Sequence, residues 1–185
     1  MPAFTFDKIL ERGAALGKLP AKERKSRDWF RTQARKTSIT PNKIRSEAKS
    51  QAVERVRMGR MYFFAYDPKT KKDLPYYDRF PLVLPLERYA DGFLGINFHY
   101  LPINLRIRLL DRIVDFSSDT KFDEGTTLDV DYTGVKNIRL VKPTLKRYLI
   151  GRVKTNFRRI DADEFTVATL LPVQRFSKAS ADTVY

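Results

Sequence analysis

The chain contains no cysteine and a single histidine, His99. Without cysteine there are no disulfides, no thiolate-ligated zinc and no thiol nucleophile. With one histidine, any nucleophilic triad has to be built on His99 alone. That residue lies in Asn97-Phe98-His99-Tyr100, among aromatic residues of strand character, and reads as a hydrogen-bonded core or rim histidine rather than a general base. No apolar run approaches the roughly 18 residues that span a bilayer, and residues 1–20 lack the apolar centre of a signal peptide. A soluble protein made in a reducing compartment, with no membrane partner, is the expectation. Glycine is sparse, with 8 residues in 185, and Gly92-Phe93-Leu94-Gly95 lacks the lysine and the strand-to-helix context of a phosphate-cradling loop. There is no internal repeat and no low-complexity tract.

What the chain has in plenty is aromatic and basic residues. Thirteen Phe, nine Tyr and one Trp within a hydrophobic content of 42% supply enough to bury that disorder is excluded. At 185 residues the chain suits one core with an appended arm. The net charge is +14, and it is segregated: residues 1–60 carry 16 Lys/Arg against 6 Asp/Glu, residues 61–140 carry 11 against 12, and residues 141–185 carry 9 against 4. Clustered cations at both ends favour a polyanionic partner, because Lys and Arg release counterions from phosphate. Acidic protein surfaces in a large assembly are the competing partner.

Along the chain, Phe6 to Ala15 has helical spacing, with Thr5 placed to cap it and Gly17 to end it. Ala21 to Lys36 sets Arg24, Arg27, Arg31 and Arg35 along one side, with Trp29, Phe30 and Ala34 behind them. Thr40-Pro41 opens a further helix predicted to run through Ile44, Ala48, Ala52 and Val56 to Arg57. From Met61 the period changes to that of a strand, apolar on both faces through Tyr66. Asp67 to Asp73 turns into a second strand, Leu74 to Leu86. Pro75, Pro81 and Pro85 mark that strand as an edge, broken or bent, and as a place where a neighbouring subunit docks. A third strand runs from Phe93 to Leu101.

Pro102 then opens an amphipathic helix with Ile103, Ile107, Leu110 and Val114 inward and Arg106 and Arg108 outward. Thr127 to Tyr132 and Ile138 to Val141 read as paired strands. Pro143 is predicted to start a helix burying Leu145, Leu149, Val153, Phe157 and Ile160. Asp161 and Glu164 form a capping box for a last helix ending before Pro172. The expected architecture is α+β: a small bent antiparallel sheet or partial barrel packed by two helices. It divides into a basic helical arm (1–59), the core (60–176) and a C-terminal tail (177–185).

Carboxylates do not assemble into a definable metal site. Asp129 and Asp131 share a strand face, and Asp119 to Lys121 forms an Asp-x-Lys triplet, but that triplet lies in a loop without a matched acid. A binding protein without cofactor or metal, not an enzyme, is therefore expected. The candidate DNA- or partner-binding residues are Arg24, Arg27, Trp29, Arg31 and Arg35 in the arm and Lys146, Arg147, Lys154, Arg158 and Arg159 towards the C-terminus, with Lys142 and Arg152 beside them. Their spacing carries no base-reading signature, so contacts to phosphate independent of sequence are implied. The bland alternative is that each basic row is a helix's solvated face.

A longer signature lies at the centre. Tyr66-Asp67-Pro68-Lys69, Leu74-Pro75-Tyr76-Tyr77-Asp78-Arg79-Phe80-Pro81-Leu82-Val83 and Gly92 to Pro102, with Ser26-Arg27-Asp28-Trp29-Phe30 upstream and Leu171-Pro172-Val173-Gln174-Arg175-Phe176 downstream, resemble a family of virion-associated proteins of T-even-type tailed phages. Within it the chain is similar to DNA end protectors, small basic proteins bound to the ends of packaged DNA. The resemblance implies a virion location, double-stranded DNA ends as a partner and other virion proteins as neighbours. A baseplate, neck or tail subunit that uses its basic arms for assembly is the alternative it leaves open.

Overall fold

A computed structural model describes residues 5–18, 24–36, 39–47, 52–116, 127–130, 132–161 and 164–185. Among these, strands β1 (Ala52–Val53), β7 (Phe157–Ile160), β2 (Met61–Phe63), β4 (Leu82–Tyr89), β5 (Gly92–Asn97) and β6 (Leu145–Leu149) form one antiparallel sheet in that spatial order. β1 and β6 are the edges, so the sheet is open and not a closed barrel. A second, two-stranded sheet pairs β3 (Tyr77–Asp78) with β8 (Phe176–Ser177). The helices are α1 (Thr5–Ala15), α2 (Arg24–Lys36), α3 (Pro41–Glu47), α4 (Ile103–Phe116), α5 (Tyr132–Val135), α6 (Phe165–Leu170) and α7 (Ala181–Val184).

The two faces of the large sheet bury different chemistry, a consequence of the period-2 pattern in Met61-Tyr62-Phe63-Phe64. Met61, Phe63, Leu82, Leu84, Ile96 and Ile160 join one cluster with Ile9 of α1, Phe30 and Ala34 of α2, Ile44 of α3, Leu109 and Ile113 of α4 and Val167 of α6. Every long helix thus lies on this face. On the other face Tyr62, Phe64, Tyr66, Val83, Phe93, Tyr148 and Phe157 pack with Val56. Phe64 is the centre of that cluster, with ring centroids 5.0 Å from Phe157, 5.2 Å from Tyr148 and 6.1 Å from Phe93, all steeply inclined, the geometry aromatic quadrupoles favour.

Several expectations are corrected. The helix opened by Pro41 stops at Glu47 before Ala52 and Val53, which pair with Arg158 and Phe157 as an edge strand; Ala48 lies outside the described residues. Pro143 starts only a short 3-10 turn; Leu145–Leu149 and Phe157–Ile160 are strands joined through a second one at Ile150–Arg152. Leu145, Leu149, Val153, Phe157 and Ile160, spaced by about four residues, satisfied a helical reading, but the free edges of β5 and β2 supply ladder partners, and tertiary pairing overrides propensity. β4 is central rather than an edge, paired with β2 and β5. Its Pro85 sits where the register shifts between Pro85 and Glu87, a bulge that accommodates a residue without an amide proton, so the proposed docking edge does not exist there. Thr127 to Val130 alternates exposed and buried without a ladder; its order comes from the Leu128 amide, which donates to the Gly59 carbonyl at 2.9 Å. Ile138 to Val141 is a turn.

Arg106 of α4, expected in water, is completely buried. Its Nε donates to the Leu101 carbonyl (2.8 Å), Nη1 to the Leu171 carbonyl (3.2 Å), and Nη2 to Gln174 Oε1 (3.1 Å) and the Tyr185 hydroxyl (2.8 Å). Four bonds make a buried guanidinium tolerable. They also fasten residues 171–185 to α4, a segment that carries β8 and α7. Half of the expected capping box is present, the Asp161 amide donating to Glu164 Oε2 at 3.1 Å ahead of α6.

Gly59 is the hinge of this construction. Its φ is +74° and an added Cβ would lie 2.1 Å from the Leu128 carbonyl oxygen, while its amide donates to the Pro85 carbonyl at 3.1 Å. Gly59→Ala is expected to cost on the order of 2–4 kcal/mol, left-handed strain plus the clash. Urea unfolding checks it through a lower midpoint at unchanged slope.

Candidate nucleic-acid interface

On the side of the sheet opposite the helical cluster lies a groove of about 680 Å³ lined by Val53, Glu54, Arg55, Val56, Arg57, Arg60, Tyr62, Arg88 and Arg159. Its lining holds five arginines and one acid, Glu54. The arginines arrive from separate places: Arg55, Arg57 and Arg60 from the connection between β1 and β2, Arg88 from β4 after its bulge, and Arg159 from β7 opposite Tyr62. In this connection Glu54, Arg55 and Arg57 are exposed, while Val56 is buried and Met58 packs beside it on the aromatic cluster. Arg88 is fixed where it stands, its Nη2 donating to the Val56 carbonyl at 2.9 Å. The Arg57 amide donates to the Tyr62 hydroxyl at 2.9 Å. Burial raises the Tyr62 pKa, so its hydroxyl keeps a proton that it can donate. Arg159 Nε stands 2.8 Å from Asp161 Oδ1 and its Nη2 donates to Oδ2 at 3.5 Å, an ion pair that sets its position in the groove lining.

Arginines in this arrangement bind oxyanions. Each guanidinium offers a planar fork that matches two phosphate oxygens. Groups already held by backbone bonds lose less freedom on binding than free side chains do.

The arginine row of α2 lies on the opposite face of the sheet from this groove, its Phe30 and Ala34 fully buried in the helical cluster and Trp29 half-buried against it. Arg35 is exposed and Arg31 half-buried; the side chains of Arg24 and Arg27 lie outside the described residues. Of the C-terminal set only Arg159 reaches the groove. Arg158, its neighbour in β7, points to the other face and is 4% exposed, which corrects the expectation that both stay wet. Lys154 and Lys142 are exposed and Arg152 is half-buried. Arg147 stacks over the Tyr89 ring at 4.0 Å and pairs with Asp91. Lys146 sits 4.1 Å from the Tyr100 centroid, and burial lowers its pKa.

Arg55, Arg57, Arg60 and Arg88 were missed in the sequence. Arg55 and Arg57 flank Val56 in a strand-like alternation that a helical reading to Arg57 scattered around a cylinder, and Arg60 follows three residues later. Arg88 carries no local signal, since only the fold brings it to residues 55–60.

Among the described residues no group of three or more acids or histidines is placed to hold a metal ion. Asp129 is exposed, and Asp119, Lys121 and Asp131 lie outside the described residues.

His99 is fully buried, as expected of a core histidine. Its Nδ1 lies 2.7 Å from Asp78 Oδ2. Asp78 also accepts from Asn97 Nδ2 (3.3 Å) and from the amides of Phe80 (3.0 Å) and Arg175 (3.2 Å), and Asn97 donates to the Tyr148 hydroxyl at 3.0 Å. Burial pushes the His99 pKa down against the pull of Asp78. Burial opposes ionisation of Asp78 too, but there the imidazole and the two amides outweigh it and hold the carboxyl below its ordinary value. The cluster is a structural knot between β3, β5 and β6.

A family model described as phage T4 terminal DNA protecting protein matches residues 6–184. No curated protein and no solved structure matches the chain.

Proposed function

The chain belongs to the phage T4 terminal DNA protecting protein family, and from that membership we propose that it binds the ends of phage DNA and shields them without cutting. The arginine groove is the grip. The observation that carries this reading is the convergence of Arg55, Arg57, Arg60, Arg88 and Arg159 around one concavity that also contains a single acid, Glu54. Phosphate oxygens are the chemistry such a lining recognises, and with no base-reading pattern the contacts are independent of sequence. The +14 charge of the whole chain adds long-range attraction that speeds encounter.

The test compares a blunt linear duplex with a covalently closed circle of the same sequence across a salt series. Preferential binding of the linear form is expected, with a slope of log K against log salt near −4.5 if all five arginines each neutralise one phosphate. The same complex should slow an exonuclease that enters from ends. Equal affinity for circle and linear duplex, or binding insensitive to salt, would falsify the reading.

A further inference from the structure

End recognition needs a chemical feature that an end has and the interior of a duplex lacks. Internal phosphates are diesters carrying one charge each. A phosphorylated strand terminus is a monoester with three free oxygens and roughly −1.5 to −2 charges at pH 7.

Resting on the DNA-end reading above, we infer that the groove is a pocket for a terminal phosphomonoester, so that the protein reads the end of a strand by its phosphate. Two features favour this over contacts to diesters along the duplex. A concavity of about 680 Å³ falls within the size range of small-molecule sites, room enough to admit a strand terminus. The cations are also concentrated rather than strung out. Arg55, Arg57 and Arg60 lie within six residues, Arg88 is tied to the carbonyl of Val56 between them, and Arg159 stands across from Tyr62. Spreading them along a groove would track successive diesters; gathering them around one concavity matches one group of high charge. Val53, Val56 and Tyr62 complete the lining.

The probes are blunt hairpin duplexes with one open end, bearing a 5′-phosphate, a 3′-phosphate or hydroxyls only, titrated against the full chain at fixed salt. A phosphorylated terminus of either polarity is expected to bind at least about tenfold more tightly than the hydroxyl terminus, with the preference lost in Arg55→Gln/Arg57→Gln. The preference should also shrink as pH falls through about 6, where the monoester takes up its second proton. No histidine lines the groove, and the hydroxyl-ended duplex measured at each pH subtracts any change in the protein. Equal binding of all three ends, with the double variant weakening all of them alike, overturns the inference and leaves the groove as a diester site. Unchanged binding of all three ends by the double variant overturns the groove itself.

Discussion

Replacing Arg57 and Arg88 together with glutamate is expected to weaken binding to a duplex end by about 10²- to 10⁴-fold. Each lost charge-assisted hydrogen bond to phosphate removes on the order of 1.5–3 kcal/mol, and each new carboxylate adds repulsion in a groove built for anions. About 3–6 kcal/mol converts to that range of dissociation constants. The fold survives the change. Arg57 is exposed and only its backbone amide meets Tyr62, while Arg88 gives up one bond to the Val56 carbonyl, a loss of about 1 kcal/mol. The informative comparison is Arg35→Glu/Lys36→Glu on α2, which reverses the same charge on the opposite side of the sheet. That pair should lower affinity by only a few-fold, through the general field. A larger effect from α2 than from the groove, measured by the same binding titration, would move the DNA contact to the helical face.

Asp78→Ala is expected to lower stability by about 3–5 kcal/mol. It strips the acceptor from His99 Nδ1, from Asn97 Nδ2 and from the amides of Phe80 and Arg175, all in an interior where lost partners are not replaced by water. The pH dependence of the parent protein follows from the same cluster. His99 has a folded pKa below its unfolded value of about 6.5, so between those two values the unfolded chain binds the extra proton. Stability is therefore fully present above about pH 6.5 and falls as the pH drops through that window. Asp78, with its folded pKa also depressed, contributes stability above about pH 4 that is lost as acid reaches its folded value. Both effects point the same way, towards acid lability. Urea midpoints taken from pH 7.5 to 4 should decline, and His99→Gln should flatten the upper part of that decline. A midpoint rising with acid between pH 7 and 5.5 would contradict a neutral His99.

The strand run Met61 to Phe63 was legible in the sequence because apolar residues on both faces have no helical reading. α4 was legible too, because its apolar stripe is long. His99 was legible as a core residue from its neighbours alone. Arg106 was not, because a guanidinium on a helix reads as solvent-facing until Leu171, Gln174 and Tyr185, all more than sixty residues away, supply its acceptors. The mistaken helix after Pro143 has a related cause. Residues four apart satisfy a helix or two short strands with a turn, and the choice belongs to β5, which presents an edge that pairs with Leu145 to Leu149. The basic composition pointed to a polyanion, and the basic rows it displayed are not the residues that line the groove, Arg159 excepted. The densest arginine row lies on α2 with the helices, while the groove draws four of its five arginines from positions that local periodicity gave no reason to combine.

The position of β2 between β7 and β4 has a consequence for how the chain comes to be folded. Met61 to Phe63 must wait for residues 157–160 before its second ladder closes, about a hundred residues later in the chain. Contacts of such separation slow folding, because loop closure precedes any return from pairing. During synthesis at about 5–20 residues per second, an apolar strand is left with a bare edge for several seconds, a template for association with a second nascent chain. The groove inherits that order of events: Arg159 arrives on the strand that seals this edge, so its lining is complete only once β7 has paired with β2.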